Sequence, residues 1–339
     1  MHFSFNSKQP ARGDSAPRQI DLHGPYQPPP RPRTPWIFED QIAANRRGTF
    51  LLMALFSLFL VAIVWAAGIL FAPAYAYVLA GLAALIAFAT SYYSFFHSDK
   101  IVLSMSGAVE ATRDAYPHLI NTLEGLTIAA GLPHVPKAYI IVDSAPNAFA
   151  TGRDPEHAAV AVTTGLLEKL DRYQLEGVLA HELSHVAGRD ILLSTVAAVM
   201  VGTIVLLSDW VLCSLWYSGG GRRRRSSRSG GGGGAAILLL LALLAMVVAP
   251  IVAQLLRLAV SRQREYLADA HAIKLTRYPE GLAGALEAIA NDYAPLEAAN
   301  KATAHLYIAN PLQKHGVQAN DLFSTHPPMA ERIARLRRM

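Results

Sequence analysis

Two uncharged apolar stretches stand almost back to back early in the chain, and they limit what the rest can become. Thr49 to Phe71 and Tyr75 to about Phe96 contain no charged residue, and only Ala72-Pro73-Ala74 lies between them. Each is long enough for the ~20 residues that carry a helix across a hydrocarbon core. Together they predict a transmembrane helical hairpin over residues 49–98. A buried hairpin in a soluble protein would need both runs covered on every side, and two adjacent runs of this length argue against that. Arg46 and Arg47 before the pair, and Lys100 after it, set both outer ends in the cytoplasm. The composition agrees: of 339 residues, 52% are hydrophobic and only 16% charged, too few charges for an ordinary soluble protein.

Residues 1–48 read as a Pro/Arg-rich cytoplasmic arm. The first 35 include Pro28-Pro29-Pro30-Arg31-Pro32-Arg33 and bury too little apolar surface to offset their ordering entropy, so disorder is expected. A Pro-rich ligand for a partner domain is the alternative to a spacer. Residues 36–48 read as a separate short interfacial helix ending in Arg46-Arg47. This start has no apolar segment of the signal-peptide kind. Cys213, the single cysteine, has no partner for an intrachain disulfide.

Beyond the hairpin, residues 99–190 change to a mixed pattern. Glu110 to Gly131 reads as an amphipathic helix, Lys137 to Val142 and Ala158 to Val162 as strands, and Asn147 to Gly152 as a turn between them. Such strands can present an edge to an extended peptide. A helix follows over Tyr173 to Gly188, and it carries the chemistry: His181-Glu182-Leu183-Ser184-His185, an HExxH motif. Residues four apart on a helix lie nearly one above the other, so both imidazoles can share one tetrahedral metal, usually zinc. Glu182, one position round, can take a proton from the attacking water and return it to a leaving amine. The plain alternative is two histidines and a glutamate in an ordinary amphipathic helix.

Two imidazoles leave a catalytic zinc ion one protein ligand short. Two further apolar runs, Ile191–Tyr217 and Ala235–Ala253, suggest a second hairpin over residues 191–260. Its loop holds Gly219-Gly220-Gly221 and then five arginines between 222 and 228. That charge conflicts with a simple four-span topology, so the pair is either re-entrant or crosses despite its loop. No aromatic platform accompanies the arginines, so a nucleic-acid partner is not expected. If the two runs form a hairpin, its feet lie side by side, with the histidines at one and Ser261-Arg262-Gln263-Arg264-Glu265 at the other. Glu265 is then the best third ligand, against the alternative of a salt bridge to Arg262 or Arg264. Asp269, one turn further on the same face, can orient a ligand histidine through its free ring N–H. Residues 261–339 form the second part of the catalytic domain. His134, His157, His271, His305 and His315 have no matching spacing and read as surface or structural.

Four segments taken together, HELSH (181–185), SRQREYLAD (261–269), PNAFATG (146–152) and STHPPMAERI (324–333), resemble the M48 family of integral-membrane zinc metalloproteases. Within it the heat-shock-associated HtpX-like bacterial proteases are most similar, with the eukaryotic CAAX-processing proteases as relatives. The resemblance spans roughly residues 50–339 and leaves out the arm and the arginine–glycine loop. It implies one Zn2+ per chain held by His181, His185 and Glu265, with Glu182 as general base and acid. It also implies that His326 and Arg332 stabilise the oxyanion, and that Asn147, with Ala148 and Phe149, lines the substrate cleft. From the residues alone, His326 is equally a loop-capping histidine and Asn147 equally a turn residue. The expected fold is mainly α with a small β element, a helical membrane protein with a zincin-like HExxH catalytic domain. The expected place is the bacterial inner membrane with the site facing the cytoplasm. Membrane or misfolded polypeptides are the expected substrates, in quality control. A dedicated processing protease for one lipidated or membrane protein, or a catalytically silent scaffold, are the rivals.

Overall fold

From Trp36 to Phe71 the chain is one uninterrupted helix, α1. The sequence suggested a separate short helix over 36–48, but nothing there breaks the backbone. Glu39, Gln41, Ala43, Ala44, Arg46 and Arg47 are good helix formers. At ~1.5 Å per residue α1 outreaches the ~30 Å hydrocarbon core, so its first turns project beyond the apolar part. A 3-10 turn, Pro73–Tyr75, leads into α2, Ala76–Met105. This helix continues nine residues past the apolar run. The turn is tight because Gly68 lets the helices touch: a Cβ there would lie 2.9 Å from the Ala76 Cα.

The computed structural model describes residues 36–71, 73–220, 261–300, 302–309 and 327–339. The chain divides at Ile37/Phe38, and the packing below belongs to the larger unit. Among the described residues, two helical segments, Ile42–Ala66 and Pro73–Met105, are long and apolar enough to cross a membrane. Their outward faces carry Leu58, Tyr77, Leu85 and Phe88, each more than 60% exposed, as suits a lipid-facing surface.

After α2 comes a four-stranded sheet in the order β1-β2-β4-β3: β1 Val109–Glu110, β2 Lys137–Ile141, β3 Ala148–Gly152 and β4 Ala158–Thr163. Strands β2 and β4 run parallel, and β1 and β3 pair antiparallel on either side. The helix expected from Glu110 starts only at Pro117 (α3, Pro117–Ala130). Proline suits the first turn of a helix and breaks its interior, so Glu110 is left to pair with Tyr139 in β1. The turn expected over 147–152 is instead β3, where Phe149, Ala150 and Thr151 pair with Ala161, Val160 and Ala159.

Thr163 caps α4 (Thr164–Lys169), and an Asp171–Gln174 capping box opens α5, Arg172–Gly188. Helix α5 is the axis of the soluble core, packed between β3, α3, α7 (Arg262–Thr276) and α8 (Pro279–Asn291). Val178, Leu179, Leu183 and Val186 are fully covered there. Arg189, in the left-handed region at φ 55°, ends α5. Helix α6, Ile191–Gly220, then leaves at 91°. The first half of α6 is buried against Leu52 and Phe56 of α1, so that half is core rather than lipid surface. The fourth apolar run and the arginine loop lie outside the described residues. The last helix is α9, Met329–Leu336. Topology and composition together make this a mainly helical α+β protein with apolar spanning helices.

Candidate metal centre

Spacing on α5 stacks His181 over His185, and the two Nε2 atoms lie 3.1 Å apart. From the first turn of α7, Glu265 brings Oε2 to 3.8 Å from His181 Nε2 and Oε1 to 3.6 Å from His185 Nε2. One ligand atom from each of the three residues falls within 4.8 Å of the others. A tetrahedral ion with bonds of ~2.0–2.1 Å separates its ligands by about 3.3 Å, so these gaps are those of a clasp for a small cation.

The chemistry of the donors agrees. His181 Nδ1 lies 3.0 Å from Asp269 Oδ1, and His185 Nδ1 lies 3.0 Å from Asp190 Oδ2. A carboxylate behind each Nδ1–H fixes the tautomer and turns the Nε2 lone pair toward the shared point. The residues therefore fit a divalent metal.

Electrostatics sharpen the roles. His181 is lowered by burial and by the Arg332 guanidinium, so it stays neutral. Burial also works against a charged His185, but Asp190, Glu265 and Glu182 override it and hold the imidazole at about 9. Burial raises Glu182 to about 7, even though the Ala150 backbone N–H donates to its carboxylate. Asp269 is held at about 2 despite burial, chiefly by Arg332.

Arg332 stands against two of the proposed ligands: Nη1 lies 3.5 Å from Glu265 Oε2, and Nη2 lies 3.3 Å from His181 Nε2. It is fully buried. Its Nε and Nη2 fork onto Asp269 at 2.9 and 2.6 Å, while Nη1 donates to the Ile308 carbonyl at 3.3 Å. The guanidinium thus grips Asp269 with two prongs and also faces His181 and Glu265 directly. His326, the other residue expected at the oxyanion, lies outside the described residues.

Asn147, Ala148 and Phe149, which the resemblance assigns to the substrate cleft, lie on the edge strand β3 and the residue just before it. Asn147 exchanges hydrogen bonds with the backbone of Ala309, Nδ2 donating at 2.9 Å and Oδ1 accepting at 3.3 Å. Ala148 accepts from the Ile308 N–H at 2.9 Å. Phe149 turns the other way, edge-on to Tyr307 with 5.0 Å between ring centres. The residue of β3 that lines the cleft beside the histidines is Ala150. The outward N–H groups of β3 are engaged too: Ala148 by Asn147 Oδ1, Ala150 by Glu182 and Gly152 by Thr195 Oγ1. Alternation along a strand explains the pattern, since neighbouring residues face opposite sides.

Sequence reading left the role of Asp190 open and took His305 as surface or structural. Asp190 stands beyond the helix that carries the motif, and only the left-handed Arg189 swings it back. His305 is buried, lines the cleft and has Nε2 3.1 Å from the Ser194 carbonyl. It belongs to an irregular segment over 302–309, where no periodicity marks it.

An HExxH helix beside a small sheet, with a carboxylate delivered by a later helix onto the same point, defines a metalloprotease. Residues 113–339 match the Peptidase family M48. The chain belongs to that family. It is 48% identical over 305 residues to a protein named Protease HtpX homolog from Dictyoglomus turgidum, covering 90% of this chain and 96% of the relative. A Protease HtpX homolog from Thermoanaerobacter pseudethanolicus is 46% identical, covering 87% and 95%. One from Streptococcus gordonii is 41% identical, covering 89% and 100%.

Proposed function

We propose that this chain is a zinc-dependent endopeptidase of the bacterial inner membrane that cleaves membrane or misfolded proteins at the cytoplasmic surface, in quality control. The observation that carries the reading is the convergence of His181, His185 and Glu265 beside a buried Glu182. Two imidazoles and a carboxylate suit zinc, which when bound polarises the scissile carbonyl and acidifies the attacking water.

Glu182 takes the proton from that water and returns it to the departing amine. A carboxyl raised to about 7 by burial can both accept and release a proton near neutral pH. Asp190 and Asp269 hold the two imidazoles in the ligating tautomer, and Arg332 holds Asp269. His326 and Arg332 stabilise the developing oxyanion, with Arg332 also held by Asp269. A substrate strand that pairs with β3 does so at Ala150, where the N–H now meets Glu182.

The two apolar spans tether this cleft to the bilayer, and Arg46, Arg47 and Lys100 favour a cytoplasmic orientation. The same reading divides the chain into an arm (1–48), a spanning hairpin (49–98), two catalytic parts (99–190 and 261–339) and an apolar insert (191–260).

The test is bound metal and proteolysis of an unfolded substrate by the full chain in detergent, with and without chelator. Glu182→Gln is expected to keep zinc and lose at least ~100-fold in cleavage rate. Glu265→Ala is expected to lose both. Cleavage by Glu182→Gln at the parent's rate would overturn the mechanism. Cleavage of many unrelated membrane substrates supports quality control, and restriction to a single one supports a dedicated processing role.

A further inference from the structure

Asn45 joins the membrane anchor to both halves of the metal centre. It is buried on α1, within the first turn of the apolar segment Ile42–Ala66. Its Nδ2 donates to the Gly188 carbonyl at 3.3 Å, at the C-terminal end of the helix that carries both histidines. Its Oδ1 accepts from Arg264 Nη1 at 3.2 Å, on the residue just before Glu265. One amide thus bonds two segments 143 and 219 residues away in sequence. The chemistry also fixes which way it points, because a carbonyl only accepts and a guanidinium only donates. One turn on, the buried Thr49 hydroxyl donates to the Asn45 carbonyl at 2.9 Å.

The end of α5 and the start of α7 are the two pieces whose separation sets the gap between His185 and Glu265. The two helices also pack directly against each other, and the Asn45 amide adds a bond to each of them. We propose that Asn45 is a positioning residue for the metal centre: through Gly188 and Arg264 it sets the spacing of His185 and Glu265. It thereby makes metal affinity depend on how α1 sits in the membrane. This rests on the metal-centre reading above.

The experiment is a zinc–chelator competition on the full chain in detergent, for the parent, Asn45→Ala, Asn45→Asp and Thr49→Val. Loss of an outer partner of a metal ligand typically weakens affinity by ~10–100-fold, and Asn45→Ala is expected near the lower end, ~10-fold. Asn45→Asp keeps an acceptor for Arg264 but loses the donor to Gly188, so it should fall between Ala and the parent. It also serves as the deciding variant if the alanine protein does not fold. Thr49→Val touches the same helix without contacting α5 or α7 through its hydroxyl, and should bind like the parent. Parent-like affinity in the folded Asn45 variants would overturn the proposal while leaving the metal centre standing. An equal fall in Thr49→Val would overturn it too, since any disturbance of α1 would then suffice. A parent that binds no zinc would overturn the metal-centre reading itself.

Discussion

Asp190 Oδ2 lies 3.0 Å from His185 Nδ1, although Asp190 sits past the end of α5 in a connection where the chain bends by 91° into α6. The bond depends on Arg189, whose left-handed backbone turns the chain sharply enough to face Asp190 back at the motif. A non-glycine residue there costs roughly 1–2 kcal/mol, which the surrounding packing must offset.

Asp190→Ala should therefore weaken zinc binding by about 10–100-fold while leaving the three proposed ligands in place. Chelator competition reads the affinity. Cleavage at saturating zinc should recover in part, and unchanged affinity would show that His185 is oriented by something else.

Zinc affinity should also depend on pH in a definite direction. His185 is held at about 9, so below that value it keeps a proton that competes with the cation for Nε2. Affinity then falls by about tenfold for each pH unit below about 9. In Asp190→Asn, which removes the main attraction for that proton, the fall should begin at a lower pH. Titrating affinity across this range in both proteins checks it; identical profiles would contradict the assignment.

Arg332→Lys distinguishes the two roles open to Arg332. A positioning role predicts loss of stability and of zinc affinity together, because a single ammonium cannot fork onto Asp269. Removing the charge altogether, as in Arg332→Met, leaves the buried Asp269 with His181 but without its cation, at a cost of about 3–5 kcal/mol. An oxyanion role predicts a fall in kcat alone, with the thermal midpoint and zinc affinity unchanged.

Gly177 tests the packing that holds the motif helix. A Cβ there would meet the backbone nitrogen of Leu282 at 2.6 Å and its Cα at 2.8 Å, neither of which can swing aside. Gly177→Ala should cost about 1–3 kcal/mol in spite of alanine's better helix propensity. Gly125 in α3 meets nothing within 4 Å among the described residues, so Gly125→Ala should stabilise, by up to ~1 kcal/mol. Thermal unfolding of the two variants in detergent should shift in opposite directions.

Periodicity made much of this protein legible beforehand. Two uncharged runs of membrane length announce α1 and α2, four-residue spacing puts His181 over His185, and the same spacing sets Glu265 and Asp269 on one face of α7. Each of those features is written within a few turns of one helix, where side-chain direction follows residue number. What only the tertiary structure decided lies across larger distances or irregular backbone. That includes β3 as a strand rather than a turn, the Arg332 fork on Asp269, Asp190 behind His185, and His305 in the cleft wall. Those contacts depend on how separate elements pack and on one left-handed residue, and neither leaves a repeat in the order of amino acids.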